Sequence, residues 1–364
     1  MTPDRRDDRQ AATRAALALE GLDALLVTHL PNVRYLTGFT GTAALLLVTA
    51  DRTVLVSDFR YEAQASQEVG NSATIEIDRS SVWDRLGRVI GAAGIGTLGV
   101  EAHVMTLRDA ERLSALPRLR VAATTDIVER LRASKGPEEV AAIRAAAELA
   151  QDALDELLPS VRVGQSEQEI SARLEAALRR RGSEWHPFPT IVASGPRSAL
   201  PHARTSTRTV GRGEWLLLDF GAQVDGYCAD LTRTVLVGAR ADARQRTVYD
   251  TVRSAQQRAL AGVEAGMTGR DADALARDFI AARGFGDAFG HSLGHGLGLE
   301  VHEAPRLAAT AGDPLPAHAV VTIEPGIYLP GWGGVRLEDD VYLGPDGPVC
   351  LSDNRTDLLE LMRE

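Results

Sequence analysis

The sequence predicts a small α/β unit over residues 1–132 and, over residues 133–364, an α+β domain built from two halves of one plan. The first expectation rests on apolar, strand-like runs that follow helical patterns in the opening part. The second rests on an order of elements, two helices and then a hairpin bearing carboxylates, that occurs twice after residue 133. Repetition of that kind implies a pseudo-symmetric domain whose halves face one site.

Taken in order, Ala11, Leu17 and Leu19 mark a helix, and Leu22-Asp-Ala-Leu-Leu-Val-Thr reads as a buried strand. Ala43 to Thr49 and Thr53 to Ser57 read as two further strands joined by the hairpin-length connection Ala50-Asp51-Arg52. Between them and the first strand, Asn32-Val-Arg-Tyr-Leu-Thr-Gly-Phe-Thr-Gly is expected to be a turn with packed aromatics. Nothing in this part is expected to gather metal-ligand residue types.

The boundary falls near Ser134-Lys-Gly-Pro-Glu-Glu, where Pro137 suits a first helical turn and Glu138 and Glu139 suit its positive end. That helix carries Val140, Ile143, Leu154, Leu157 and Leu158, and Pro159 helps to stop it. Ser166-Glu-Gln-Glu is a capping-box pattern opening a second helix through Ile170, Leu174 and Leu178, closed by Gly182. A strand from Pro189 to Ser194 and a hairpin from Glu214 to Val237 complete the first half. The second half repeats them: a helix from about Arg246 to Glu264, another capped by Thr268 and Asp271 and running to Gly284, then a hairpin-like stretch from Val320 to Val341.

Composition bounds the function. Hydrophobic residues make up 44% and charged residues 25%, an ordinary globular balance. A formal net charge of -10 argues against a general nucleic-acid or anionic-membrane surface. Cys228 and Cys350 form neither a disulfide framework nor a zinc-type pair, and Cys228 reads as a small buried residue. No apolar run is long enough to span a bilayer, and the start, Met1-Thr-Pro-Asp-Arg-Arg-Asp-Asp-Arg, has no apolar core for export, so a cytoplasmic protein is expected.

Chemistry concentrates in Gly290 to Glu303, Gly-His-Ser-Leu-Gly-His-Gly-Leu-Gly-Leu-Glu-Val-His-Glu, which holds His291, His295 and His302 of the chain's 8 histidines. Imidazole is both a metal ligand and a proton carrier near neutral pH. Helical i, i+4 spacing of His291 and His295 is opposed by four glycines, each costing a helix roughly 1 kcal/mol. The glycines instead suit close backbone approach, with Gly298-Leu-Glu-Val-His as a short strand. His29, His103 and His318 read as loop or surface residues, and His186 as a packing or rim residue.

Each predicted hairpin carries two carboxylates. Asp219 and Asp230 flank the turn signal Asp225-Gly226, and Glu324 and Glu338 lie equally far from Gly331. Folding brings each pair together, where like charges repel unless protonated or bridged by a cation. A site of four carboxylates with a histidine is oxygen-rich and favours Mn²⁺, with Co²⁺ or Zn²⁺ as alternatives. Four negative charges match two divalent ions, which would share and activate a hydroxide.

The ordered set Leu-Asp-Phe-Gly, Asp-Leu-Thr-Arg-Thr, Gly-His-Gly-Leu-Gly-Leu-Glu-Val-His-Glu, Glu-Pro-Gly-Ile-Tyr and Arg-Leu-Glu-Asp-Asp resembles the pita-bread metallopeptidases, closest to aminopeptidase P and prolidase. The Asn-Val-Arg-Tyr-Leu-Thr-Gly-Phe segment resembles their creatinase-like N-terminal domain, so the likeness covers nearly the whole chain. The resemblance implies that Asp219 ligates one metal, that Asp230 and Glu338 bridge, and that His295 and Glu324 hold the other. It makes His202 and His302 groups that steady the substrate carbonyl and intermediate, places His291 along the pocket, and gives Arg336 the task of orienting Glu338. Glu324 becomes a proton carrier for the leaving nitrogen, with His302 its competitor. It further implies proline-containing peptides as substrates and a homodimer.

No ligand position departs from the family pattern, which disfavours a metal-free, creatinase-like site and a non-catalytic peptide-binding module. Methionine aminopeptidase shares the ligand set but lacks an N-terminal domain of this kind. Between the remaining activities the expectation leans to aminopeptidase P, with a strict Xaa-Pro dipeptidase as the alternative. Arg306, three residues beyond Glu303, is the cation that would anchor a dipeptide's carboxylate.

Overall fold

In the computed structural model, residues 5–352 and 355–362 are described, so the first four residues of the chain start lie outside them. The chain folds as two compact units, Met1–Arg132 and Ala133–Glu364. Among the described residues no helix is long and apolar enough to cross a membrane.

The first unit is an α/β layer structure. Its strands are β1 (Ala24–Val27), β2 (Ala44–Thr49), β3 (Thr53–Asp58), β4 (Thr74–Asp78), β5 (Thr97–Glu101) and β6 (Arg120–Thr124), in sheet order β4-β3-β2-β1-β5-β6. β1, β5 and β6 run parallel, whereas β1–β2 and β2–β3 are antiparallel. Helices α1 (Arg6–Glu20), α2 (Leu30–Thr37), α3 (Glu62–Glu68), α4 (Val82–Ala93), α5 (Leu107–Ser114) and α6 (Ile127–Arg132) connect or flank them. Leu86 and Ile90 of α4 pack on Leu47, Val54 and Leu98 of the sheet, so one helix stripe and one sheet face share a core. The segment expected to be an aromatic turn is instead α2. Pro31 occupies its first turn, where the missing N–H costs nothing, and Gly38 stops it. Its aromatics do pack: Tyr35 and Phe39 are buried.

The second unit opens with α7 (Pro137–Leu157) and α8 (Glu167–Arg180), followed by β7 (Ile191–Ser194) and β8 (Glu214–Phe220). The short β9 (Gln223–Val224) and β10 (Tyr227–Cys228) then lead into β11 (Leu231–Val237). The Ser166 box forms as expected, with its hydroxyl accepting from Glu169 N and the Glu169 carboxylate accepting from Ser166 N. β8 and β11 pair antiparallel, and a turn at Asp225 and Gly226, with φ of 49° and 75°, joins the β9–β10 tip. Leu154, Leu174 and Leu178 of the helices pack on Leu216, Leu218 and Val235 of the sheet.

The plan recurs with α9 (Ala243–Gly262) and α10 (Gly269–Ala282). The strands that follow are β12 (Gly294–Gly296), β13 (Glu303–Leu307), β14 (Val320–Ile323), β15 (Gly326–Leu329), β16 (Gly333–Arg336), β17 (Asp339–Gly344), β18 (Gly347–Cys350) and β19 (Glu360–Leu361). α9 begins before the expected Arg246, because Asp242 and Gln245 form a capping box of their own. Of the sheets in this unit, the two larger are β13-β12-β14-β17-β18 and β19-β11-β8-β7, beside the two-stranded β9–β10 and β15–β16. The two larger sheets meet at an isolated antiparallel bridge between Thr232 and Glu338, where Glu338 N donates to Thr232 O at 3.1 Å. This seam places the carboxylates of both halves side by side.

The histidine stretch departs from expectation in one respect. The strand is β12, and Gly298 to His302 is a bend. β12 runs between β13 and β14. A Cβ on Gly294 would lie 1.9 Å from Thr322 O, and one on Gly296 2.2 Å from Ala304 O. Only glycine admits the neighbouring backbones that closely. Gly296→Ala is therefore expected to lower the urea midpoint more than Ser166→Ala. Overpacking costs ~1–3 kcal/mol, with backbone here in place of a side chain that could yield, against about 1 kcal/mol for a lost cap. Equal midpoints for the two variants would contradict the packing account.

Candidate metal centre

Strand register explains how residues distant in sequence converge. Asp219 is the partner of Thr232, so Asp230, just before β11, stands two places past direct opposition to Asp219. On the other sheet Ile323 pairs with Asp339, bringing Glu324 and Glu338 to adjacent strand ends. The seam between Thr232 and Glu338 then joins the pairs. Oxygen atoms of Asp219, Asp230 and Glu338 lie within 4.8 Å of one another, as do ligand atoms of His295, Glu324 and Glu338, and those of Asp230, His295 and His302. Glu338 belongs to both carboxylate groupings, and Asp230 reaches both Asp219 and His295. All five sequence-expected ligands come together.

His295 turns one ring nitrogen toward the carboxylates. Its Nδ1 lies 3.1 Å from Gly296 O, and its Nε2 lies 3.4 Å from Glu324 Oε1 and 3.8 Å from Asp230 Oδ2. A backbone carbonyl on one ring nitrogen fixes the tautomer that leaves the other as an acceptor. Burial, helped by the neighbouring His302, lowers the His295 pKa to about 4, so the ring is neutral at pH 7. The bend after Gly298 returns His302 to within 4.3 Å of His295, ring centre to ring centre.

Arg336 is buried and donates to Asp219 Oδ2, to Thr232 Oγ1 at 3.0 Å and to the Tyr328 hydroxyl at 2.9 Å. Its direct carboxylate hydrogen-bond partner is therefore Asp219. It reaches Glu338 through Thr232, whose hydroxyl donates to Glu338 Oε2 at 2.5 Å. His291 Nε2 meets the Tyr328 hydroxyl at 2.8 Å, and its pKa falls to about 4 because of burial and the Arg336 charge. His202 is exposed, and its charge bears on Asp219, His291 and His302, so it belongs to the same neighbourhood. Arg306 is the cross-strand partner of His295.

Thr232 and Tyr328, which hydrogen-bond to the clustered side chains, are positions to which reading the sequence gave no role. Thr232 carried a signal: side chains alternate on a strand, so Thr232 and Thr234 share the face toward which Asp230 leads. The same alternation sends Arg233 the other way, onto Asp339 at 2.7 Å, both buried. Tyr328 closes the Glu-Pro-Gly-Ile-Tyr motif, but what it touches depends on where the β15–β16 hairpin folds. No signal marked the Asp273–Arg277 pair, which holds the histidine loop: Arg277 donates to Phe289 O and His291 O, and Asp273 accepts from Leu293 N.

The carboxylates fit a cation better than they fit one another. Burial first, and then neighbouring charge, raises Asp230 and Glu324 well above the ordinary range and Glu338 to about 7. Asp219 is raised by burial in spite of Arg336. Oδ1 of both Asp219 and Asp230 is buried and accepts no hydrogen bond among the described residues. Buried acceptors left without donors, in a set of four carboxylates and an imidazole, match divalent cations with hard to borderline character.

Residues 141–345 match metallopeptidase family M24, and residues 9–134 match the creatinase/prolidase N-terminal domain. The chain belongs to metallopeptidase family M24. Among solved structures, the Xaa-Pro dipeptidase from Bacillus anthracis superposes with a TM-score of 0.95 at 38% identity, covering 98% of this chain and 100% of that one. The X-Pro aminopeptidase from Thermotoga maritima gives 0.89 at 36% identity, covering 97% and 99%. An Xaa-Pro dipeptidase of Pyrococcus furiosus is 34% identical over 348 residues, 93% of this chain and 95% of its own length. The fold class expected from the sequence, an α/β domain before an α+β pita-bread domain, is that of these structures.

For this M24 peptidase the raised carboxylates set a pH dependence. A carboxyl moved from its ordinary 4.5 to about 7 in the fold keeps its proton where the unfolded chain has released it. The metal-free chain therefore loses stability on this account as pH rises from about 4.5 to about 7, and below about pH 7 a metal must displace a proton to bind. Titration with Mn²⁺ at pH 6 and pH 8, in buffers of different ionisation enthalpy, should show tighter binding and fewer protons released at pH 8. Equal proton release at both would mean that the carboxylates are already ionised.

Proposed function

We propose that this metallopeptidase cleaves Xaa-Pro bonds at the amino-terminal end of short peptides. The observation that carries the reading is the pair of carboxylate groupings sharing Glu338, one closed by Asp219 and Asp230, the other by His295 and Glu324. In this proposal those five residues hold two divalent ions, which supply Lewis acidity and an activated water when bound. The names of the solved and curated relatives support proline-directed cleavage. Mn²⁺ as the ion rests on the oxygen-rich donor set, and a homodimer on family likeness.

The chain's own residues do the rest. The Xaa-Pro bond is a tertiary amide, so its nitrogen leaves only when a proton reaches it. Glu324 sits within the ligand cluster with its proton affinity raised by burial, and is the proposed carrier. His302 and His202, both exposed, are proposed to steady the substrate carbonyl and the charge that develops on it. Arg336 and Thr232 hold Asp219 and Glu338 in place, and Tyr328 fixes the His291 ring that lines the pocket.

Arg306 bears on substrate length. Directly opposed residues of an antiparallel pair project from the same sheet face, so Arg306 lies on the His295 side. A guanidinium there can bind the proline carboxylate of a dipeptide in two-pronged fashion. This favours a strict Xaa-Pro dipeptidase, shifting the balance from the aminopeptidase P activity toward which the sequence leans. The aminopeptidase reading retains support from the exposure of Arg306, which leaves room for a longer chain, and from the name of the Thermotoga relative.

The Mn²⁺-loaded enzyme is assayed with Ala-Pro and Ala-Pro-Ala, in wild type and Arg306→Ala. A dipeptidase shows higher kcat/KM for Ala-Pro and a loss in the variant confined to that substrate. Tripeptide cleavage at the dipeptide's rate, indifferent to the variant, makes it an aminopeptidase P. Failure to cut either peptide with both ions bound sinks the proline-directed reading. Separately, His302→Ala should lower kcat by ~10²-fold with metal content unchanged. Loss of an ion in that variant would make His302 a ligand.

A further inference from the structure

The first unit contains a second grouping of metal-ligating side chains, independent of the peptidase centre. His29, His103 and Glu129 each offer a ligand atom, and these lie within 4.8 Å of one another. His103 Nε2 is 3.3 Å from Glu129 Oε1, His29 Nδ1 is 4.0 Å from the same oxygen, and the two rings meet edge to face with centres 5.3 Å apart. Read along the chain, the three are isolated residues, and the two histidines passed as loop or surface groups.

Topology brings them together. His29 follows β1 and caps α2, His103 follows β5, and Glu129 lies on α6, just after β6. These three strands are parallel neighbours in the order β1-β5-β6. All three residues therefore emerge at the carboxyl ends of adjacent parallel strands, where open α/β sheets habitually place their ligands. A cavity of about 420 Å³ lined by His29, Pro31, Val104, Met105, Thr106 and Asp109 adjoins them.

The grouping is braced. Buried Glu101 accepts from the backbone N–H of Thr28 at 2.7 Å and of His29 at 2.8 Å, which pins the base of the histidine. Buried Asn32 donates to Glu101 Oε1 at 2.7 Å and to Glu129 Oε1 at 2.5 Å, while Arg132 donates to Asn32 Oδ1 at 2.7 Å. Partners that orient the ligating groups in this way are the usual support of metal sites.

We propose that His29, His103 and Glu129 form a mononuclear site for a borderline divalent cation, Zn²⁺ above all, with a fourth position open toward the cavity. Two imidazoles and one carboxylate are a zinc donor set, and three protein ligands leave room for water or a small anion. Harder ions such as Mn²⁺ fit the oxygen-rich peptidase centre better, so the two sites differ in preference. The site serves neither as ligand nor as proton carrier in the proposed cleavage.

The test counts Zn²⁺ bound by the metal-free full-length chain at micromolar free ion, by elemental analysis, in wild type, His29→Ala, His103→Ala and Asp230→Asn. Wild type should hold one ion more than His103→Ala and His29→Ala, whereas Asp230→Asn, which damages only the peptidase centre, should retain the extra ion. Co²⁺ added to Asp230→Asn should give a visible absorption band that disappears when His103→Ala is combined with it. His103 is the most exposed of the three, with 40% of its side chain open, so its removal leaves the fold intact. Equal ion counts in wild type and His103→Ala overturn the proposal, as does a Co²⁺ band that survives the combined variant.

Discussion

Mutual repulsion among four clustered carboxylates, three of them buried and Glu324 half-buried, is the constraint on which the second unit depends. Asp219, Asp230, Glu324 and Glu338 are brought within a few ångströms by two sheets that meet at Thr232 and Glu338. Nothing in hydrophobic packing favours that meeting, and ionising all four without a counter-charge would work against it. Arg336 supplies one positive charge, tied to Asp219 and, through Thr232, to Glu338. The remaining charge calls for cations. The fold is thus a frame that stays together around a site that is unfavourable without them, and the helices α7–α10 supply the apolar core that holds the frame.

The same frame separates binding from positioning. His295 meets the carboxylates through one nitrogen and a backbone carbonyl through the other, so its geometry is set before any ion arrives. The Asp273–Arg277 pair fixes the loop that carries His291, and β13 and β14 fix β12 on either side of its glycines. Rigidity of this kind suits a centre that must hold ions and a reacting carbonyl to within a fraction of an ångström.

Much of this was legible in the sequence because the signals are local. Capping boxes, the Asp225-Gly226 turn and the symmetric placement of Glu324 and Glu338 about Gly331 each report on neighbours within a few residues. The clustering of the carboxylates became legible because each hairpin carries its own pair. What escaped depends on tertiary placement. The Gly298 to His302 bend looked like a strand by composition, but the glycines that pack between strands are Gly294 and Gly296. Arg336 stands two residues from Glu338 in sequence, yet the hairpin geometry turns its guanidinium to Asp219. The grouping of His29, His103 and Glu129 is invisible in one dimension, since only the parallel order β1-β5-β6 unites the ends of three strands.

The central claim is that the carboxylates are arranged for two divalent ions. The most direct measurement is anomalous X-ray scattering at the manganese edge from crystals of the wild-type chain grown with Mn²⁺. The account predicts two peaks in the second unit, one among Asp219, Asp230 and Glu338 and the other among His295, Glu324 and Glu338. A single peak, or none, with the carboxylates unmoved would contradict it.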